Sequence, residues 1–224
     1  MIFDPLYFVM LIPALLLSGW AAMLTKSRFK KYSQIRAYSG YTGARAAERM
    51  LHANGVFDVK IERVRGMLSD HYDPRTKTLR LSDEVHDNAS LAAVGVACHE
   101  AGHALQHAQA YAALGLRSAL VPVAQIGSNF APYIFIVGLI AQIPMVMQVA
   151  IALLACMFLF TVITLPVEYN ASARAKAHMV AAGIVSPSQE ADAGKVLNAA
   201  FLTYLAAAVA ALLQLLYYIL RSRR

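Results

Sequence analysis

Three histidines and one glutamate lie within the eleven residues ACHEAGHALQH at positions 97–107. His99 and His103 are four residues apart, so on a helix they project from one face, about 40° apart and one turn offset. Two imidazoles in this arrangement can bind one Zn²⁺ ion, and Glu100 is then aimed at a water in the open position of the metal. The pattern predicts a zinc site with His99 and His103 as ligands and Glu100 as general base.

A catalytic zinc ion commonly has a third protein ligand, and the downstream candidates are His107, Glu168, His178, Glu190 and Asp192. His107 would have to reach back past His103, and the glycine that turns the helix in HExxHxxGxxH sites is missing here. We therefore expect His107 to support the site or the fold without binding zinc. Glu168 is favoured because it follows Pro166 at the end of an apolar segment, where a carboxylate near a membrane is a functional hypothesis by default.

Several polar residues are candidates for supporting roles. Ser172 lies four residues after Glu168, on the same helical face, and could hydrogen-bond a ligand imidazole and fix its tautomer. The oxyanion that develops during hydrolysis needs a donor besides the metal. The sequence does not choose among the four candidates, which are His71, Tyr72, Tyr169 and Arg174. Arg174 could equally be an arginine that snorkels to the lipid headgroups.

The composition is that of a membrane protein. Of the 224 residues, 58% are hydrophobic and 15% are charged, the mean hydropathy is +0.50, and residues 119–166 contain no Lys, Arg, Asp or Glu. We expect four spans, with three as the alternative, because each crossing needs about 20 apolar residues. The expected spans are 3–24, 126–143, 145–165 and 199–220.

The charge pattern predicts an orientation. Basic residues cluster directly after the first span, which predicts that residues 25–118 face the cytoplasm. Four spans would then place the basic C-terminus outside, in conflict with the same rule. The net charge of +7 is explained by Lys and Arg next to anionic lipid, and it requires no nucleic acid.

Residues 25–118 are expected to form a catalytic domain in which a small sheet covers the helix of the HExxH motif. The expected elements are a helix between Thr42 and Gly55, a strand at 57–64, a hairpin of 66–72 with 78–82, and a helix at about 89–110. A further helical segment, 166–198, is expected to begin after Pro166 and to carry Glu168. Leu79, Arg80 and Leu81 are expected to form an edge strand on which an extended substrate pairs.

Five separate blocks of the chain resemble one known family. They are SGYTG at 39–43, LSDHYDPRTKTLRLS at 68–82, CHEAGHALQ at 98–106, LPVEYNASARA at 165–175 and VLNAAFLTYLAAA at 196–208. In this order they are similar to the YugP-like neutral zinc metallopeptidases of bacterial membranes. The resemblance implies that His99, His103 and Glu168 hold zinc and that Glu100 is the general base. The layout also resembles HtpX and the CAAX prenyl proteases, which have an aspartate where this chain has Ser172.

Together these features predict an α-helical integral membrane protein with about four transmembrane helices and a small α+β, zincin-like cytoplasmic catalytic domain. The predicted function is that of a zinc metalloendopeptidase in the bacterial inner membrane. One zinc ion would polarise the scissile carbonyl while Glu100 takes a proton from water and passes it to the leaving amine. The expected partners are the lipid bilayer and an unfolded or membrane-associated polypeptide, whereas the oligomeric state is not predicted.

Two alternatives remain open at this stage. Residues 90–116 are apolar enough to be a span that carries HExxH, as in site-2 intramembrane proteases. Those enzymes complete the site with an aspartate in an LDG-type motif, and here the only Asp after residue 107 is Asp192, between spans. A non-catalytic zinc-binding scaffold or chaperone is the other alternative. Glu100 argues against it, because a structural zinc site usually has four protein ligands and needs no base.

Overall fold

The computed structural model describes residues 4–66 and 69–223. In chain order the elements are α1 (Pro5–Tyr32), α2 (Gly43–Ala53), β1 (Lys60–Val64), β2 (His71–Asp73), β3 (Thr78–Ser82), α3 (Asp83–His86), α4 (Leu91–Ala108), α5 (Ala112–Ile140), α6 (Pro144–Ala181) and α7 (Pro187–Ser222). The chain divides into two compact units. A helical unit comprises Met1–Ala22, Gly115–Pro166 and Leu202–Arg224, and a mixed unit comprises Met23–Leu114 and Val167–Phe201.

Among the described residues, four helices are long and apolar enough to cross a membrane, namely α1, α5, α6 and α7. The expected number of candidate spans is thereby confirmed, but their bounds differ from those expected. α1 continues through the basic residues to Tyr32, and α5 begins at Ala112 and contains both Pro122 and Pro132. Residue 3, the first of the expected first span, lies outside the described residues.

The expectation of a new helix after Pro166 is wrong. α6 runs without interruption from Pro144 to Ala181, with Pro166 inside it. Proline lacks its own backbone N–H, and a membrane helix can tolerate this loss where its neighbours satisfy the freed carbonyl. Glu168 therefore lies within a long helix rather than near the start of a short one.

The mixed unit contains a three-stranded sheet in the order β1-β3-β2. β2 and β3 form an antiparallel hairpin, but its first strand is His71–Asp73 and not the expected 66–72, of which residues 67 and 68 lie outside the described residues. β1 pairs with β3 in parallel. The prediction that Leu79, Arg80 and Leu81 form an edge strand is wrong, because β3 has a neighbour on each side. Leu79 and Leu81 are fully buried in the core of the unit.

The helix of the HExxH motif is the centre of this unit. α4 begins at Leu91, and the side chain of the N-cap residue Ser90 accepts a hydrogen bond from the backbone N–H of Ala93. The Asn88 side chain just before it accepts a hydrogen bond from the backbone N–H of Ser90. Most of α4 is buried, and its apolar residues share one hydrophobic core with α2, β3 and parts of α6 and α7. This packing holds both histidines of the motif on a rigid element.

Replacing Leu81 with alanine should destabilise the mixed unit by about 2–5 kcal/mol, because it removes a fully buried side chain from the central strand. Chemical denaturation of the detergent-solubilised protein, followed by circular dichroism, measures the change. Lys60→Ala, at an exposed position on β1, is the control and should stay within about 0.5 kcal/mol. Equal stability of both variants would contradict the central position of β3.

Candidate metal centre

α4 and α6 bring His99, His103 and Glu168 together within the mixed unit. The Oε2 atom of Glu168 lies 3.2 Å from Nε2 of His99 and 3.5 Å from Nε2 of His103. One ligand atom from each of the three residues lies within 4.8 Å of the other two. Glu168 is 1% exposed and His103 is 7% exposed. Two imidazoles and one carboxylate thus converge in a region with little access to water.

This donor set fits a zinc ion. Ligand atoms at about 2.0–2.1 Å from a tetrahedral zinc lie roughly 3.3–3.4 Å from one another. The two distances from the Glu168 carboxylate to the imidazoles, 3.2 and 3.5 Å, fall close to this separation. Imidazole nitrogen and carboxylate oxygen are common zinc ligands, and three of them leave one position for water or substrate.

The hydrogen bonds of Gln106 determine the tautomer of His103. The side-chain N–H₂ of Gln106 donates to the Val167 carbonyl at 2.8 Å and to Oδ1 of Asn170 at 2.9 Å. Its Oε1 must therefore be the atom that lies 3.0 Å from Nδ1 of His103. Since an amide oxygen only accepts, Nδ1 carries the proton, and the lone pair of Nε2 is available for a metal.

Ser172 has a corresponding position beside His99. Its hydroxyl lies 3.1 Å from Nδ1 of His99, which is the contact expected from the sequence. His99 and His103 are thus each held at Nδ1 by a polar side chain, while Nε2 of each faces Glu168. Such partners orient ligand imidazoles and raise their affinity for metal.

The electrostatic environment favours a cation. Burial lowers the pKa of His103, but its hydrogen bond to Glu168 and the negative charges of Glu168 and Glu100 outweigh burial, so the pKa is raised overall. Without a metal ion, a proton on His103 would compensate these negative charges. A divalent ion would satisfy the same negative charges without protonating the imidazoles.

The other sequence-predicted candidates lie outside this cluster of ligand atoms. His107 contacts the Tyr72 hydroxyl, at 2.9 Å from its Nδ1. The exposed His71 contacts the Ser69 carbonyl, at 2.7 Å from its Nδ1. Tyr169 is 65% exposed and packs edge-on against Phe201.

Arg174 is also occupied elsewhere. Its Nε donates to Oδ1 of Asn170 at 2.7 Å, and its Nη1 donates to Oε1 of Gln109 at 2.5 Å. Because Asn170 also accepts from Gln106, Arg174 continues the hydrogen-bonded chain that ends at His103. Its observed contacts are those of a supporting residue and not of a donor to substrate.

Sequence reasoning missed three residues that shape the centre: Gly102, Gln106 and Asn170. A Cβ atom on Gly102 would lie 2.6 Å from the carbonyl oxygen of Ala171, so only glycine permits this close approach of α4 and α6. Gln106 is fully buried. The available signal was an uncharged polar residue three positions after His103 on the motif helix, but its partners on α6 are more than 60 residues away in the sequence.

Comparison with known proteins places this geometry in a family context. A family model described as "putative neutral zinc metallopeptidase" matches residues 7–223. The chain is 45% identical over 215 residues to a Bacillus subtilis (strain 168) protein named "putative membrane protease YugP", and the match covers 96% of each chain. No solved structure matches.

Replacing Gln106 with methionine should weaken zinc binding about 10- to 100-fold, because it removes the acceptor that orients His103. Competition with a chromogenic chelator measures the affinity, and a melting curve of the same sample shows whether the fold persists. Gln34→Met is the control, since Gln34 is exposed in the same unit and lies outside the hydrogen-bonded chain from Arg174 to His103. Unchanged zinc affinity in Gln106→Met would show that this hydrogen bond does not support the metal centre.

Replacing Gly102 with alanine should push α6 away from α4 and so separate Glu168 from the histidines. We expect weaker zinc binding and a lower melting temperature, both measured on the purified protein. Gly95→Ala on the same helix is the matched control, because its Cβ would lie 3.8 Å from Ala193, an ordinary contact. The control should be neutral or slightly stabilising, since alanine favours helix over glycine by about 1 kcal/mol. Equal zinc affinity in the two variants would contradict the role of the helix contact.

Proposed function

Because the chain belongs to the neutral zinc metallopeptidase family, we propose that it is a membrane-bound zinc metalloendopeptidase that hydrolyses peptide bonds. The observation that carries the proposal is the convergence of His99, His103 and Glu168 beside the HExxH glutamate. Three protein ligands are the number found in catalytic zinc sites, whereas structural sites commonly have four.

In this proposal His99, His103 and Glu168 hold one zinc ion. A bound zinc ion supplies a Lewis acid that polarises the scissile carbonyl and makes water more acidic. Glu100 accepts the proton of the attacking water and passes it to the leaving amine. Gln106 and Ser172 keep the two imidazoles oriented, so the ligand atoms need little rearrangement during the reaction.

The proposed substrate is a polypeptide that is unfolded or membrane-associated. With β3 in the centre of the sheet, the strand available for pairing beside α4 is β2. Tyr72 of β2 contacts His107 of α4, so an extended substrate paired with the free edge of β2 would run close to the HExxH helix. Such pairing requires an extended segment, which an unfolded or flexible polypeptide offers along its length.

The membrane location is proposed from the chain's own features. The four apolar helices support a multi-pass protein, and the basic residues after the first span support an inner-membrane orientation with the metal centre facing the cytoplasm. α4 is not among the candidate spans and packs with the sheet in the mixed unit. These features favour a membrane-bound peptidase over a site-2-type intramembrane protease.

Replacing Glu100 with glutamine should leave one bound zinc per chain while reducing peptide turnover by about 10²–10⁴, because an amide cannot accept the proton. Glu168→Ala should lose both zinc and activity. Metal analysis and turnover of fluorescent casein, measured together on the protein in detergent, test both variants. Glu48→Gln, exposed on α2, is the control and should retain wild-type activity.

Two results would contradict the proposal. A wild-type protein that binds zinc but cleaves no peptide would favour the scaffold alternative. Full zinc affinity in Glu168→Ala would show that Glu168 is not the third ligand.

A further inference from the structure

A second polar pair joins β2 to the HExxH helix and has no role in holding the proposed metal. The Tyr72 hydroxyl on β2 is 2.9 Å from Nδ1 of His107 in the last turn of α4, and their ring centroids are 5.9 Å apart. Both side chains are half-buried. The pair thus joins the edge strand of the sheet to the metal-binding helix.

The helical positions place this pair on the side of the proposed base. With about 100° per residue, His107 lies roughly 40° beyond His103, and Glu100 lies about 20° beyond His107. Gln106 lies about 60° from His103 in the opposite direction, and it contacts α6. Tyr72 and His107 are therefore on the face of α4 that carries Glu100, one turn along from His103, and α6 occupies the other side.

The hydrogen bond between Tyr72 and His107 leaves one N–H or O–H donor available, whichever tautomer His107 adopts. If the Tyr72 O–H donates to Nδ1, then Nε2 of His107 carries the remaining N–H of the neutral ring. If instead Nδ1–H donates to the tyrosine oxygen, then the Tyr72 O–H is available for another acceptor. The pair can thus always offer one proton donor to a carbonyl oxygen.

The surroundings keep the tyrosine protonated. Burial, followed by the negative charges of Asp58 and Asp73, raises the pKa of Tyr72 to about 12. Tyr72 therefore remains a neutral hydroxyl at physiological pH. A hydroxyl kept neutral in a partly desolvated position is suited to stabilise negative charge that develops on a substrate oxygen.

We propose that Tyr72 and His107 are catalytic residues that together donate a hydrogen bond to the carbonyl oxygen of the scissile peptide in the transition state. This inference rests on the proposed peptidase function. It selects Tyr72 from the four oxyanion candidates and assigns His107, which the sequence left without a defined role. The competing candidate Arg174 is already bonded to Asn170 and Gln109.

The test compares zinc-loaded, full-length Tyr72→Phe and His107→Phe with the wild type. Each should reduce kcat for a fluorescent peptide about 10²- to 10³-fold, as expected for loss of one oxyanion donor, with little change in KM. The double variant should be hardly worse than either single variant, because each side chain holds the donor of the other in position and the two therefore act as a unit. Tyr38→Phe, an exposed tyrosine of the same unit, should match the wild type.

A transition-state analogue distinguishes a catalytic role from a structural one. Affinity for a phosphinic peptide should fall in Tyr72→Phe in proportion to kcat/KM, while zinc content and melting temperature stay unchanged. Wild-type kcat in Tyr72→Phe would overturn the pair's role. Loss of activity that parallels loss of zinc or of fold would assign the contact to structure alone. A wild type that is itself inactive would overturn the proposed function and this inference with it.

Discussion

The close contact between α4 and α6 is the interaction on which the candidate metal centre depends. α4 carries two imidazoles, and α6 carries the carboxylate that lies between them. Gly102 allows the backbone of α6 to approach, and the Gln106 side chain spans the contact with bonds to Val167 and Asn170. Without this approach, the HExxH motif would supply only two of the three ligands.

The same contact creates an electrostatic requirement for a cation. Glu168 is buried beside two histidines, and burying a carboxylate is costly unless a partner compensates its charge. Metal binding would therefore contribute to the stability of the mixed unit as well as to the chemistry of the site. The contacts of each Nδ1 with Gln106 or Ser172 also reduce the free-energy cost of orienting the imidazoles for metal binding, because the rings are already held in place.

The polar groups on two faces of α4 have two different proposed roles, metal binding and proton donation or acceptance. The face toward α6 holds the proposed ligand atoms and the residues that orient them. The face toward β2 carries Glu100, His107 and the contact with Tyr72. An extended peptide lying along β2 would meet the proposed base and the proposed donor pair on the same side. In the proposed function, the edge strand of the sheet would therefore position the substrate as well as pack against α4.

The sequence by itself determined the features that depend on short separations along the chain. The i, i+4 spacing of His99 and His103 places them on one face of any helix, and the cap at Thr42 defines where α2 begins. Long apolar runs identified four candidate spans, because hydrocarbon thickness sets the length of a crossing helix. The nearness of Glu168 was also expected, from its position and from the family resemblance.

Only the tertiary structure decided which distant groups meet. β3 was expected to be an edge strand that pairs with substrate, but the strand order places it in the centre of the sheet. β1 pairs in parallel with the side of β3 that was expected to be open to substrate. The continuity of α6 through Pro166 and the partners of Gln106, Tyr72 and His107 likewise follow from packing. The physical reason is that local spacing sets the direction of a side chain relative to its own helix or strand. Its contacts depend on long-range burial, which no short stretch of sequence specifies.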